Sequence, residues 1–313
     1  MEKILQGKVI SGQKLARKFG VETANLEIFL GILDEQGVYI AECFLDDEKN
    51  PLPAVMHYGK RKTTDGKFSV EVHLLDFSRD LYGKTLKIKV LKKLREIQKF
   101  ASVESLFQQI KKDIIQTRKF FLRRQIKETW RKLDPKSREI LAEKAFQQVS
   151  QLPEFLSAQN VYIYAPKGDE IDFVEKLCEK FPEKNYYFPK IIDGEMKFFF
   201  PFATASEDRR DIFSKLKVGK WGIREPHVSP HQPSSLAGKE IADLVFVPAV
   251  GADFAGNRLG NGGGFYDRFL KNLTPQAPLG RGGKTICVLP KFAVFREIPV
   301  EEWDMRVGEV LVV

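Results

Sequence analysis

The chain has 313 residues, of which 43% are hydrophobic and 30% are charged, and its formal net charge is +9. This composition excludes a disordered chain, and the length allows two domains. Three widely spaced cysteines suit a reducing cytoplasm and indicate neither a disulfide framework nor a zinc cluster. We also find no apolar run at the start that is long enough for a signal peptide or a membrane span, so we expect a cytoplasmic protein without a membrane partner.

Short β-rich runs fill the chain up to about residue 100, and Gly, Asp and Asn turns separate them. The clearest runs are 37–41, 70–75 and 86–90. Even spacing of short strands is typical of a small antiparallel β-barrel. A helix is predicted to follow, with Ser102 as its N-cap.

A basic helical region comes next, between Lys111 and Lys144, with twelve Lys or Arg against five Asp or Glu. An interruption is predicted near Asp134 and Pro135. We interpret the charges as a solvated helix face, because no zinc-finger spacing, recognition helix or aromatic RNA-binding pattern accompanies them. A basic protein can equally bind ATP and polyanionic small molecules. We therefore predict small-molecule partners and no nucleic acid; nothing in the sequence indicates the oligomeric state.

Beyond about residue 120 the pattern changes to alternating helices and strands. Strands are predicted at 160–164, 186–188 and 244–247, and a helix at 172–181. This alternation is typical of an α/β layered fold. No Gly/Ser-rich linker separates the two halves, so we expect the boundary inside a continuous helix near residues 115 to 122. The predicted domains are 1–117 and 118–313.

A glycine-rich segment follows the apolar run 244–247, with four glycines in the five positions 260–264. Glycines of this kind let the backbone turn with positive φ and present bare N–H groups, which at a helix N-terminus suit a phosphate. Arg258 and Arg268 bracket the segment with positive charge, and Asp267 adds an oxygen ligand suited to Mg²⁺. The spacing of a Walker A loop is absent. The alternative is a glycine-rich turn with solvated charges.

Residues 247–268, VPAVGADFAGNRLGNGGGFYDR, resemble the ATP-binding signature of the 5-formyltetrahydrofolate cyclo-ligase family. The resemblance extends over residues 118–313. It implies a three-layer α/β sandwich that closes 5-formyltetrahydrofolate to 5,10-methenyltetrahydrofolate with ATP and Mg²⁺. Such a reaction requires positioning and charge neutralisation more than a protein nucleophile.

The same resemblance implies the roles of individual residues. Those expected to bind ATP are Lys119, Arg123, Arg258, Gly260, Gly262, Gly263, Gly264, Phe265 and Tyr266. Those expected to hold Mg²⁺ are Asp267 and Asp304, and those expected to contact the folate are Ala165, Glu170 and Trp221. Taken singly, Glu170 could instead cap the helix near Asp172, Lys119 and Arg123 could be surface charges, and Trp221 could be a core residue.

The first third resembles a second family, the riboflavin kinases. Residues 15–26, LARKFGVETANL, and residues 70–77, VEVHLLDF, carry the likeness. The resemblance implies a six-stranded barrel with a C-terminal helix. The implied reaction is transfer of a phosphoryl group from Mg-ATP to riboflavin, which gives FMN. The implied roles are Mg²⁺ ligation for Thr23 and Asn25, catalytic base for Glu71, flavin contact for Arg95 and nucleotide contact for Gly12 and Arg17.

Two departures from the riboflavin kinase pattern leave an alternative open. Glu22 and Lys62 stand where the family has prolines, and Glu22 adds negative charge beside a triphosphate site. The leading hypothesis is a bifunctional enzyme with both activities. The alternative is a cyclo-ligase that carries a non-catalytic flavin-binding or docking barrel.

Overall fold

The computed structural model of the chain describes residues 3–11, 22–45, 48–202, 209–219, 222–227, 242–273 and 279–313. The chain forms two compact units, Met1–Leu122 and Arg123–Val313. Gly12, Arg17 and Trp221, three of the predicted site residues, lie outside the described residues.

The first unit is a closed barrel of six strands in the order β1-β2-β5-β4-β3-β6, and every neighbouring pair is antiparallel. The strands are β1 (Lys3–Ile10), β2 (Ala24–Leu30), β3 (Gly37–Phe44), β4 (Leu52–Lys60), β5 (Phe68–Leu74) and β6 (Thr85–Arg95). Alternate residues such as Leu26, Met56 and Val72 are buried in the barrel interior, as the period of two along a strand requires. The predicted antiparallel barrel is confirmed.

A long helix, α1 (Val103–Lys132), follows the barrel without a break at the boundary between the units. The Ser102 hydroxyl accepts a hydrogen bond from the Ser105 backbone N–H at 3.2 Å, so Ser102 is the predicted N-cap. On the outer wall of the barrel, Ile114 of this helix packs against a small cluster that includes Val38 and Val55. This cluster fixes the helix against one side of the barrel.

The second unit is an α/β domain built on a six-stranded mixed sheet in the order β17-β15-β12-β7-β8-β9, which confirms the predicted fold class. The strands of this sheet are β7 (Asn160–Tyr162), β8 (Asn185–Ile192), β9 (Glu195–Phe199), β12 (Ala242–Phe246), β15 (Leu279–Leu289) and β17 (Glu309–Val312). Neighbouring strands from β17 to β8 run parallel, and only the edge pair β8 and β9 is antiparallel. Strand β12 is almost completely buried, because the central strands of a parallel sheet are covered on both faces.

Two small sheets and several helices complete this unit. The small sheets contain β10 (Leu216–Val218) with β11 (Arg224–Pro226), and β13 (Gly251–Asp253) with β14 (Arg258–Leu259) and β16 (Val294–Phe295). The helices are α2 (Pro135–Val149), α3 (Pro153–Ser157), α4 (Val174–Lys180) and α5 (Phe265–Asn272), with 3-10 turns at Arg209–Lys215 and Lys291–Ala293.

The helix starts follow local capping chemistry. The Asp134 carboxylate accepts the Ser137 backbone N–H at 2.9 Å and starts α2, which accounts for the predicted interruption of the basic region. The helix predicted from residue 172 starts only at Val174. Residues 171–173 form no regular element, and Ile171 and Phe173 are both buried there. Side chains two positions apart do not share a face of a helix, so burial of both favours an irregular backbone in this segment.

Candidate active sites

The glycine-rich segment forms a tight turn between strand β14 and helix α5. Gly262 has φ 96° and Gly264 has φ 65°, so both occupy backbone conformations that favour glycine. Gly264 is the N-cap of α5, and as a glycine it supplies no side-chain cap to the first turn of this helix. The N-terminus of α5 thus points its first turn at the glycine-rich turn, and the helix dipole favours negative charge at this place.

Arg258 is the buried cation of this site, with 5% of its surface exposed. Its Nη2 donates to Oδ1 of Asp267 at 2.8 Å, and its Nη1 donates to the Pro248 carbonyl at 3.3 Å. Nε is buried and has no partner within the described part of the chain. An unsatisfied buried donor on a charged group is costly, which is the pattern expected where a ligand supplies the missing acceptor.

Arg123 reaches the glycine-rich turn from helix α1. Its Nε donates to the Gly260 carbonyl at 2.7 Å. Burial lowers the pKa of Arg123, while the charges of Asp304 and Glu301 act in the opposite direction, so both carboxylates lie near the guanidinium. Lys119 is buried one helical turn earlier on α1, on the same helix face as Arg123. The structure thus brings Arg123 into contact with the glycine-rich turn, and the sequence predicted that both bind ATP.

The two predicted Mg²⁺ ligands lie next to the same turn but hold protein groups. Oδ1 of Asp267 accepts from Arg258 and from the Met305 backbone N–H at 3.2 Å. Oδ2 of Asp304 accepts the Glu301 N–H at 2.7 Å. Across the described residues, no group of three or more His, Cys, Asp or Glu side chains is arranged to hold a metal ion. The metal role of these two carboxylates stays a prediction.

Glu170 lines a small enclosed pocket of about 10 Å³ together with Trp130 and Tyr164. Its Oε2 accepts the Lys167 N–H at 2.9 Å, so it closes a turn and does not cap helix α4. Burial raises the pKa of Glu170 to about 7, although the Lys167 N–H acts in the opposite direction. Near neutral pH this carboxyl group can therefore switch between accepting and donating a hydrogen bond.

Tyr266 connects the glycine-rich turn with the Glu170 pocket. Its hydroxyl is buried and has no hydrogen-bond partner among the residues that the structure describes. Burial raises the pKa of Tyr266, the charge of Glu170 adds to this effect, and the charge of Arg258 opposes it. Tyr266 is therefore near both groups. Ala165, a predicted folate contact, is buried in the segment that leads to Glu170.

The burial of Glu170 leads to a testable prediction for stability. The folded protein holds the Glu170 proton up to about pH 7, whereas an exposed glutamate releases it near 4.5. Between these values only the unfolded chain ionises at this position, so the free energy of unfolding falls as the pH rises, by up to about 3 kcal/mol. We expect Glu170→Gln to remove this fall and to be more stable than the wild type at pH 8, but not at pH 4.

Urea unfolding of the second unit at pH 4, 6 and 8 measures this effect. Glu139→Gln is the matched control, because Glu139 is an exposed residue of α2 in the same unit. An unfolding free energy of Glu170→Gln that is unchanged or lower than that of the wild type at pH 8 would contradict the prediction.

Sequence reasoning missed the group that fixes the start of the glycine-rich segment. The buried Asp253 carboxylate accepts from the N–H groups of Ala255, Asn257 and Ile298 and from the Asn257 amide, at 2.8 to 3.0 Å. Arg306 then donates to the Asn257 side chain at 2.8 Å. Burial alone would raise the pKa of Asp253, but these hydrogen bonds outweigh it and the pKa is lowered. The sequence contains one local signal for this arrangement: Asp253 stands two residues before Ala255 and four before Asn257, a spacing that is typical of a turn.

A second site lies on the outer wall of the barrel. Cross-strand pairing places Asn25 opposite Glu71, Glu71 opposite His57, His57 opposite Val38, and Val38 opposite Arg95. Residues paired in this way point to the same face of a sheet. They line a cavity of about 150 Å³ between the wall and α1, which Thr23 also lines. Predicted residues from three separate stretches of the sequence are therefore brought together: Thr23, Asn25, Glu71 and Arg95.

Glu71 is half-buried in this cavity and is held from one side. Its Oε1 accepts from the Ser69 hydroxyl at 3.0 Å and lies 3.4 Å from Nη1 of Arg61. Arg61 in turn binds Asp65 with two hydrogen bonds of 3.0 and 2.8 Å. A carboxylate with a fixed position and an accessible face is suited to accept a proton from a bound hydroxyl.

Arg95 is fixed by a buried partner that the sequence did not reveal. Asp113, which is 1% exposed, accepts from Nε and Nη2 of Arg95 at 2.8 to 3.1 Å. The Gln109 amide donates to the same carboxylate at 3.0 Å. The ring of Phe100 lies 5.7 Å from the guanidinium. A pairing of this kind orients the planar guanidinium towards the cavity.

The two departures from the riboflavin kinase pattern make different contacts. Glu22 is exposed, and its backbone carbonyl lies 2.6 Å from Nδ1 of His73. Lys62 lines the cavity, and its ammonium group donates to the Ile97 carbonyl at 3.4 Å. Lys62 is therefore accommodated in the wall of the cavity.

Within the described ranges, none of the helices combines the length and the apolar character that crossing a bilayer requires.

Comparison with known proteins assigns each part of the chain to a family model. The riboflavin kinase model matches residues 2–121, and the 5-formyltetrahydrofolate cyclo-ligase family model matches residues 115–313. The bifunctional riboflavin kinase/FMN adenylyltransferase of Escherichia coli (strain K12) is 40% identical over 118 residues, which are 37% of this chain and 37% of that protein. The chain thus spans little more than a third of the length of this relative.

Two further proteins are similar to parts of the chain. The RNA-binding riboflavin kinase RibR of Bacillus subtilis (strain 168) is 37% identical over 113 residues, which cover 36% of this chain and 48% of that protein. The solved 5,10-methenyltetrahydrofolate synthetase of Aquifex aeolicus is 28% identical, covers 62% of this chain and 89% of that chain, and has a TM-score of 0.47.

Proposed function

We propose that this protein is a bifunctional Mg-ATP-dependent enzyme. The chain belongs to the 5-formyltetrahydrofolate cyclo-ligase family and also carries a riboflavin kinase domain. Residues 115–313 would close 5-formyltetrahydrofolate to 5,10-methenyltetrahydrofolate. Residues 2–121 would phosphorylate riboflavin to FMN. The two reactions would take place at separate sites in the cytoplasm.

The observation that carries the proposal is the convergence of two arginines from distant parts of the sequence on one glycine-rich turn. Arg123 donates to the Gly260 carbonyl at 2.7 Å. The buried Arg258 guanidinium adjoins the same glycine, and among the described residues its Nε has no hydrogen-bond partner. Two cations and a helix N-terminus form a site for a triphosphate. Their charges would stabilise the phosphoryl group while the formyl oxygen attacks it.

The pterin of the other substrate would bind beside Glu170, where the pocket of about 10 Å³ has room for about one water molecule and would have to widen. A carboxylate in an enclosed pocket recognises a heterocycle through hydrogen bonds to its N–H groups. Tyr266 is near both Glu170 and Arg258, which supports a folate bound in reach of the triphosphate. The role of the protein would be to orient the formyl group and the N10 amine and to exclude water.

Magnesium would be held by residues that offer hard oxygen atoms. Asp267 uses Oδ1 for protein contacts, whereas within the described residues its Oδ2 accepts no hydrogen bond and could bind a cation. Asp304 would assist it, and in the barrel Thr23 and Asn25 would have the same role. The ion would neutralise phosphate charge at each site.

In the barrel, Glu71 would accept the proton of the terminal ribityl hydroxyl, and Arg95 would lie against the flavin. The partners in this proposal are riboflavin, 5-formyltetrahydrofolate and ATP. The absence of a nucleic-acid partner stays a prediction.

The test is an assay of both reactions with one preparation. The purified chain is incubated with Mg-ATP and riboflavin, and FMN is separated by chromatography; a parallel reaction contains 5-formyltetrahydrofolate. We expect both products. If the cyclo-ligase is active but no FMN forms, the barrel is a non-catalytic flavin-binding or docking module. If no methenyltetrahydrofolate forms, the proposed folate reaction is refuted.

A further inference from the structure

His57 lines the same cavity as Glu71, and the proposed kinase chemistry gives it no role. It is the direct cross-strand partner of Glu71 between β4 and β5, and it lines the cavity of about 150 Å³ on the outer wall of the barrel. Side chains opposite each other in an antiparallel pair lie about 5 Å apart. A ligand that reaches Glu71 therefore also reaches the imidazole.

The contacts of His57 fix its tautomer. Nε2 lies 3.1 Å from the Gly59 carbonyl oxygen, and a carbonyl can only accept, so Nε2 carries the hydrogen atom. In the neutral ring Nδ1 is then an acceptor. No hydrogen bond to Nδ1 occurs among the residues that the structure describes.

The surroundings keep the ring neutral. Burial lowers the pKa of His57, the charge of Glu71 and the bond to Gly59 oppose this effect, and the charges of Arg95 and Arg61 reinforce it. At neutral pH the cavity wall thus presents two acceptors side by side, Nδ1 of His57 and the carboxylate of Glu71. Two adjacent acceptors are satisfied by a ligand with two hydroxyl donors rather than by a single alcohol.

We propose that Nδ1 of His57 accepts a hydrogen bond from a ribityl hydroxyl next to the one that meets Glu71, and that His57 thereby selects flavins with a polyhydroxylated chain. The inference rests on the proposed function, since it takes riboflavin as the ligand of the cavity. His57 is in this role a specificity-determining residue: it binds the substrate and leaves the proton transfer to Glu71.

Two substitutions separate the two nitrogen atoms of the ring. The amide of His57→Gln reaches the Nε2 position and can keep the bond to Gly59, but it offers nothing at Nδ1. The amide oxygen of His57→Asn stands at the Nδ1 position and keeps an acceptor there. The probes are riboflavin and a flavin with a 5-hydroxypentyl chain, which has the same ring and terminal hydroxyl but no inner hydroxyls.

Quenching of flavin fluorescence gives the affinity of each protein for each flavin. We expect the wild type to prefer riboflavin by about ten-fold, His57→Asn to retain most of this preference, and His57→Gln to lose it. A merely structural role would weaken both flavins alike and leave the preference intact. Affinity for the 5-hydroxypentyl flavin should be the same in both variants and in the wild type, which shows that the barrel is folded; the cyclo-ligase rate serves as the same control for the second unit.

Other outcomes overturn the inference. Equal affinities of the wild type for the two flavins would exclude a bond to an inner hydroxyl, and an undiminished preference in His57→Gln would exclude His57 as its acceptor. A wild type that binds neither flavin would refute both the inference and the riboflavin kinase proposal. A wild type that discriminates between the flavins but forms no FMN would refute only the kinase activity.

Discussion

Replacement of Arg258 by alanine should abolish the cyclo-ligase reaction and leave FMN formation unchanged. Arg258 is 5% exposed and donates to Asp267 at 2.8 Å. Its guanidinium adjoins Gly260, and within the described ranges its Nε has no hydrogen-bond partner. Loss of a buried cation that stabilises a transferring phosphoryl group costs about 10³-fold or more in rate. We therefore expect a decrease of at least about 1000-fold in kcat/KM for 5-formyltetrahydrofolate.

Two further variants show whether such a loss is specific. Arg258→Lys keeps the charge but not the two-pronged contact, and we expect it to be folded and still strongly impaired. Arg124→Ala removes a half-buried arginine that pairs with Glu128 at 2.9 Å on α1, and it should retain full activity. Loss of both reactions in Arg258→Ala would contradict separate sites, and an active Arg258→Ala cyclo-ligase would remove Arg258 from the proposed mechanism.

The reciprocal result is expected for Glu71→Gln, which should stop only the phosphorylation of riboflavin. Glutamine has the same shape and can still accept the Ser69 hydroxyl bond seen at 3.0 Å, but it cannot take up a proton. General bases contribute about 10²- to 10⁴-fold to a rate. FMN formation should therefore decrease by that factor, whereas riboflavin should still bind.

Chromatographic measurement of initial FMN rates, with the cyclo-ligase rate as the internal reference, tests this result. Glu27→Gln is the matched control, because Glu27 is an exposed residue of β2 two positions from Asn25. Unchanged FMN output in Glu71→Gln would exclude Glu71 as the base. If FMN formation decreased equally in Glu27→Gln, the effect would be due to damage of the barrel and not to loss of the base.

The fold could be predicted where local sequence chemistry decides the structure. Alternating burial and regular turns specify the strands of the barrel, and side-chain caps at Ser102 and Asp134 specify two helix starts. The glycine-rich turn before α5 was also predictable, because few other residues accept φ 65° at an N-cap. In each case the deciding interaction joins residues only a few positions apart.

The contacts that build the sites join distant residues and left no local signal. Asp113 holds Arg95 from 18 positions away, and Ile298 donates to Asp253 from 45 positions away. Arg258 and Asp267 were predicted as separate ligands of phosphate and metal, but in the structure they bind each other. Tertiary packing determines such pairs, and a pattern of residue types in one chain does not contain that information.

The continuous helix α1 has a consequence for the dissection of the chain. The two family matches overlap at residues 115–121, and these residues lie within α1, which runs unbroken from Val103 to Lys132. The same segment thus belongs to both family matches. To express the halves as separate polypeptides, both open reading frames would have to encode this segment, and a single cut would deprive one product of its terminal helix.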